Sequence, residues 1–211
     1  PVIPLKTCSL GRGSLGMDVD VFNDEGKPVR GEVGELVCKK PWPGMTRGLW
    51  NSPDRYIETY WSRWPNVWWH GDFASIDKDG YWFLHGRSDD TIKVAGKRIG
   101  PSEVESAVAT HPSVLESAAI GIPDELKGES VVCFVVLKNM ADATDETKAQ
   151  IKETVSRLLG KTMTPSDVKF VNALPKTRNA KILRRVIKAT YLGKEVGDIS
   201  NLENPDALNE I

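Results

Sequence analysis

A chain of 211 residues with 28 Lys and Arg against 29 Asp and Glu carries a formal net charge of −1. That balance argues against a general nucleic-acid or anionic-membrane surface, and local basic clusters must serve local anions. No apolar run reaches membrane-spanning length, so neither nucleic acid nor membrane is an expected partner.

The chain opens Pro-Val-Ile-Pro-Leu-Lys-Thr-Cys, which is neither a signal peptide nor an initiator and reads as cut from something longer. Gly11-Arg12-Gly13-Ser14-Leu15-Gly16 matches G-x-G-x-x-G, but a strand-like Met17–Val21 follows where a dinucleotide fingerprint needs a helix. It reads as a glycine-rich turn. Asp18–Phe22 and Gly34–Lys39 are expected strands, with a turn at Asn23–Gly26 and a break at Pro41–Gly44. Asp54–Ser62 is expected to be helical. Asp77-Lys78-Asp79-Gly80 is a hairpin turn between Phe73–Ile76 and Tyr81–His85. Cys8, Cys38 and Cys133 form no Cys-x-x-Cys pair, and His70, His85 and His111 lack zinc-like spacing. No metal site is therefore expected, His70 and His85 read as packing residues, and a reducing cytoplasm is the simplest compartment.

The texture changes after Arg87. Thr91–Val94 and Lys97–Ile99 flank Ala95-Gly96 as a tight hairpin, and Pro101 suits the first turn of a helix. Val114–Ile122 and Val131–Leu137 are apolar strands, Asp145–Leu159 an amphipathic helix ended by Gly160, and Asp167–Val171 a strand. Ala180–Tyr191 is expected as a basic helix: Lys181, Arg184, Arg185 and Lys188 follow i, i+3, i+4, i+7 spacing, with Ile182, Leu183, Val186 and Ile187 opposite. From about Gly193 the chain is polar and reads as a surface tail. A β-rich part followed by β-hairpin, α, β, β, α, β, α predicts an α+β fold.

Asp72, after a tight glycine turn, lies one hairpin from Arg87. A carboxylate there can accept from both ribose hydroxyls while the guanidinium supports it. Gly71-Asp72, Asp79-Gly80-Tyr81, Gly86-Arg87-Ser88-Asp89-Asp90, Gly96-Lys97-Arg98-Ile99 and Pro101–Glu105 resemble, in order and spacing, the late core motifs of the adenylate-forming superfamily of acyl-CoA synthetases, adenylation domains and luciferases. Pro175–Lys181 resembles that family's final motif, Pro-Lys-Thr-x-Ser-Gly-Lys, with Asn179-Ala180 in place of Ser-Gly. Trp42-Pro43-Gly44, Thr59–Ser62 and the long tail resemble the acetyl-CoA synthetase branch.

The resemblance implies that residues 1–88 end a large domain, 89–192 form a mobile small domain and 193–211 a C-terminal tail. It implies an AMP-forming acid–thiol ligase that activates a short carboxylate such as acetate with ATP and transfers it to coenzyme A. Mg²⁺ is expected to be held mainly upstream, where the family's phosphate loop lies, and the 211 residues alone are expected to be inactive. Lys181 is implied as the catalytic cation for adenylation, and Asp72, Arg87 and Arg98 as ATP- and AMP-binding residues. Asp89 is implied as the hinge, with Gly96 and Arg157 contacting coenzyme A. A protein acetyltransferase or deacetylase acting on Lys181 is a further implied partner. Two other readings stand beside this one: a non-catalytic regulatory or binding module of the same ancestry, and an adenylation domain loading a carrier protein.

Overall fold

The computed structural model describes residues 3–211. The chain divides into two compact units, with the division between Asp89 and Asp90. In the first, β1 (Val19–Phe22), β2 (Gly34–Cys38), β3 (Trp68–Ile76) and β4 (Trp82–Arg87) form an antiparallel sheet in sequence order. Helix α1 (Pro53–Trp61) lies between β2 and β3 in sequence. Tyr60 stacks on Trp68 with ring centroids 4.2 Å apart, and Trp61 meets the same indole edge-on. The tryptophans crowded into this stretch therefore fasten α1 to the sheet.

The second unit is built around one strand. β5 (Ile92–Val94) and β6 (Lys97–Ile99) form a hairpin, followed by α2 (Pro101–Ala109), β7 (Val114–Asp124), β8 (Gly128–Leu137), α3 (Asp145–Leu159), β9 (Asp167–Phe170) and α4 (Arg184–Tyr191). β8 pairs antiparallel with β7 along its length, and β5 at Gly128 and the parallel β9 at Val132–Val135 also pair with it. The α+β class is as the sequence predicts. Val131, Cys133 and Val135 pack in one cluster with Val104 and Val108 of α2 and Ile151 and Val155 of α3. Val132, Phe134 and Val136 pack in another with Ile187 of α4 and Leu174. A strand covered on both faces explains the unbroken apolar run, which alternation alone would not produce. Thr144 caps α3, accepting from the Thr147 amide at 3.2 Å, and Gly160 ends it at φ 90°.

Phe134 is fully buried and meets Tyr191 edge-on at 5.7 Å. Phe134→Ala is expected to destabilise this unit by about 3–5 kcal/mol, through lost transfer energy and the cavity left behind. Denaturant midpoints measure this, and a loss below about 1 kcal/mol would show that the site collapses around the missing ring.

Two sequence expectations are corrected here. The basic helix begins at Arg184, not Ala180. Residues 175–183 form a tight hairpin instead, with Leu183 N donating to Pro175 O at 2.9 Å and Thr177 N to Lys181 O at 2.9 Å. The segment after Gly193 is docked, not trailing. Ala207 is buried, Ile211 packs against the Phe134 cluster, and Asn172 Nδ2 donates to Glu210 Oε1 at 2.7 Å.

Candidate active-site elements

In the first unit, β3 and β4 place Asp72 and Arg87 directly opposite each other. Asp72 Oδ1 lies 3.7 Å from Arg87 Nη1, and Asp72 Oδ2 lies 2.6 Å from His70 Nδ1. Arg87 Nε also donates to Asp89 Oδ1 at 3.1 Å. The backbone calls for glycine at Gly71, whose φ is +81°, and a Cβ there would sit 3.1 Å from Arg87 Nη2 and push the guanidinium aside by a few tenths of an ångström. The guanidinium thus lies across the backbone just before Asp72. Thr59, Tyr60, Trp69, His70, Gly71, Arg87 and Asp89 line a cleft of about 180 Å³.

The two histidines differ. His85 Nε2 pairs with Ser75 Oγ at 2.8 Å and is half-buried, in keeping with a packing role. His70 is exposed and faces the Asp72 carboxylate, so the packing expectation fails for it. Its position two residues before Asp72 on one strand puts both side chains on one face; that spacing was the available signal.

In the second unit, Lys181 stands on the 175–183 hairpin, not on α4. Ala180 N donates to Thr177 O at 2.8 Å, and Ala180 has φ 59°. A type I turn followed by a left-handed residue is a common three-residue hairpin, and the left-handed place normally takes glycine. Lys181 N donates to Thr177 Oγ1 at 3.2 Å, which fixes the backbone while the exposed side chain makes no hydrogen bond or ion pair with a described residue. Ala180→Gly is expected to raise stability by roughly 0.5–1 kcal/mol, since relief of the left-handed penalty outweighs the added unfolded-state entropy. A lowered denaturant midpoint would contradict this.

The other cations of the expected basic face are engaged. Arg184 grips Glu105 with two hydrogen bonds of 2.7 and 2.6 Å, and this pairing raises its pKa above the ordinary arginine value. Glu105 also accepts from Ala119 N at 2.9 Å, tying α4 to α2 and β7. Lys188 pairs with Glu129 at 2.8 Å. Arg185 donates to the carbonyls of Val196 and Asp198. These three hold the fold together, which leaves Lys181 apart from them.

Gly96 occupies the β5–β6 turn with φ +78°, and a Cβ there meets nothing within 4 Å. Backbone conformation, not crowding within this unit, calls for glycine. Arg98 is half-buried on β6, opposite Lys93. Arg157, exposed in the last turn of α3, lines a hollow of about 400 Å³ with His111, Pro112, Gln150, Glu153 and Thr154. The structure therefore gathers Asp72, Arg87 and Asp89, puts Gly96 and Arg98 on one hairpin, and sets Arg157 and Lys181 on separate elements. Cys133 is fully buried, and desolvation drives its thiol far above the ordinary range. Among the described residues there is no group of three or more His, Cys, Asp or Glu placed to hold a metal ion, and no helix long and apolar enough to cross a membrane.

Residues 103–181 match the AMP-binding enzyme C-terminal domain, a stretch that takes in α2 through the Lys181 hairpin. That stretch of the chain carries an AMP-binding enzyme C-terminal domain. It is 46% identical over 210 residues to acetyl-coenzyme A synthetase of Pyrobaculum aerophilum, covering 99% of this chain and 31% of that protein. It is 47% identical over 214 residues to 3-hydroxypropionyl-coenzyme A synthetase of Sulfurisphaera tokodaii, covering 99% and 32%. Among solved structures, acetoacetyl-CoA synthetase from Streptomyces lividans matches with a TM-score of 0.87 at 31% identity, over 98% of this chain and 32% of that one. ATP-bound MatB from Rhodopseudomonas palustris matches with a TM-score of 0.71 at 29% identity, over 87% and 36%. The chain spans about a third of the length of the relatives it matches.

Proposed function

We propose that this chain is the C-terminal portion of an ATP-dependent, AMP-forming acyl-CoA synthetase of the cytoplasm. Its substrates are a short carboxylic acid, ATP and coenzyme A. The observation that carries the reading is the setting of Lys181: three neighbouring cations are committed to carboxylates or carbonyls, and this one stands exposed on a hydrogen-bonded hairpin. An exposed ammonium with no partner among the described residues, at the position of the family's terminal lysine, is what a reaction that concentrates negative charge at phosphorus needs.

In the first half-reaction the acid's carboxylate oxygen attacks the α-phosphorus of ATP, and pyrophosphate leaves. Asp72 accepts from the ribose hydroxyls, Arg87 supports it, and Arg98 and Lys181 meet phosphate oxygens. In the second, the thiol of coenzyme A attacks the acyl carbon and AMP leaves. Gly96 borders the path of the thiol, and Arg157 meets the nucleotide end of coenzyme A. Asp89 is the hinge between the two arrangements, absorbing the dihedral change. Mg²⁺, held mainly by residues upstream, would neutralise the triphosphate, and this chain adds the cationic side chains Arg87, Arg98 and Lys181. The relatives that act on acetate and on 3-hydroxypropionate are similar to this chain to nearly the same degree, which favours a two- or three-carbon acid. The exposure of Lys181 also suits a protein acetyltransferase or deacetylase, since acetylation would remove the charge the first step uses.

Pyrophosphate exchange into ATP, measured with the full-length protein and each of acetate, propionate and 3-hydroxypropionate, tests the reading. Exchange with none of them would overturn it in favour of a non-catalytic module. Exchange without subsequent thioester formation on coenzyme A would point instead to a carrier-protein thiol.

A further inference from the structure

A second device sits behind the Asp72–Arg87 pair. Glu35 lies in β2, an otherwise apolar strand, and is 2% exposed. Three donors converge on its carboxylate. Arg63 Nη1 donates to Oε1, Trp69 Nε1 donates to Oε2 at 2.8 Å, and Ser88 Oγ donates to Oε2. Arg63 is itself fixed between aromatic faces, its guanidinium carbon 4.6 Å from the Trp64 ring centroid and 5.1 Å from that of Trp69. Ser88 is held a second time by its backbone, its N–H donating to Gly71 O at 2.9 Å.

The partners of Glu35 are not scattered. Trp69 is a wall of the 180 Å³ cleft. Ser88 stands between Arg87 and Asp89, which line the same cleft, and Asp89 is the last residue of the first unit. One buried carboxylate thus fixes an aromatic wall and the residue between the two charged groups.

We propose that Glu35 is a positioning residue for the nucleotide cleft and the stop that sets where the chain can swivel. It orients Trp69 through the indole N–H and clamps Ser88, so that backbone rotation begins only at Asp89 and leaves Arg87 registered against Asp72. This rests on the reading of Asp72 and Arg87 as ribose-binding. A carboxylate suits the task because it is acceptor-only and can take all three donors at once. An amide would turn a donor toward one of them.

The test uses Ser88→Ala, which removes one arm and leaves Arg63, Trp69 and Glu35 in place, with Ser88→Thr as the hydroxyl-retaining rescue. A hydrogen bond to a charged acceptor supports an effect of about tenfold. In the full-length protein, Ser88→Ala is expected to speed amide hydrogen exchange across residues 86–90 by about tenfold. It is also expected to raise the KM for ATP by about as much with a smaller change in kcat, and Ser88→Thr should restore both. Glu35→Gln should disturb both readouts further. Unchanged exchange in Ser88→Ala would overturn the clamp. Faster exchange with an unaltered KM for ATP would overturn the positioning role and leave only a structural one. A wild-type protein that turns over no ATP would instead sink the proposed function, and the clamp would then stand or fall on exchange alone.

Discussion

Lys181→Ala in the full-length protein is expected to slow acyl-adenylate formation by roughly 10²–10³-fold, the scale for loss of one preorganised donor at a site of developing charge. The structure sharpens this expectation. Among the described residues the Lys181 side chain makes no hydrogen bond or ion pair, so its truncation breaks no such pair and strands no buried group. Stability should stay within about 0.5 kcal/mol of wild type, as for an ordinary surface substitution. Thioester formation from supplied acyl-adenylate should survive. Equal slowing of both half-reactions, or a large drop in the unfolding midpoint, would remove Lys181 from the first step.

Gly96→Leu should act on the other half-reaction, slowing thioester formation by about 10²-fold or more through misplacement of the thiol while pyrophosphate exchange continues. Here backbone strain must be separated from obstruction, because a left-handed φ of +78° penalises any branched side chain. Gly96→Asn supplies the control, since asparagine tolerates that conformation. If Asn also blocks the thioester step while the unfolding midpoint holds, a side chain in the path is the cause. If Asn is silent and Leu is merely unstable, the turn alone requires glycine and the contact with coenzyme A is lost as an explanation.

The strands and the helix Asp145–Leu159 were legible because local signals agreed: apolar runs bounded by turn residues for the strands, and an amphipathic period closed by a glycine for the helix. That Asp72 and Arg87 lie one hairpin apart was legible from the Asp77–Gly80 turn, but their register was not: the turn alone would set Asp72 opposite Gly86, and a bulge between Phe73 and Ala74 shifts its partner to Arg87. The start of α4 was not. Lys181 fits the helical period with Arg184, Arg185 and Lys188, yet the hairpin closed by Pro175 and Leu183 overrides that period. Ala180 hid the turn, because the left-handed place that glycine would have announced is filled by the best helix former. Glu35 was passed over as a polar residue in a strand. Its three partners come from sequence positions 28, 34 and 53 residues away, beyond the reach of any local pattern.

The docked tail changes where this protein can be cut. Asn204 accepts from Lys176 N and donates to Leu174 O, both at 2.9 Å, Glu203 N donates to Lys176 O at 2.9 Å, and Leu202 bridges to Thr177. The tail is therefore pinned along the Leu174–Thr177 arm of the Lys181 hairpin by these hydrogen bonds and one isolated bridge. A boundary drawn at the last recognisable motif, or at the end of α4, would keep every residue assigned a chemical role and discard what holds one of them still. A cut anywhere before Ile211 would also take away a residue that packs against the Phe134 cluster.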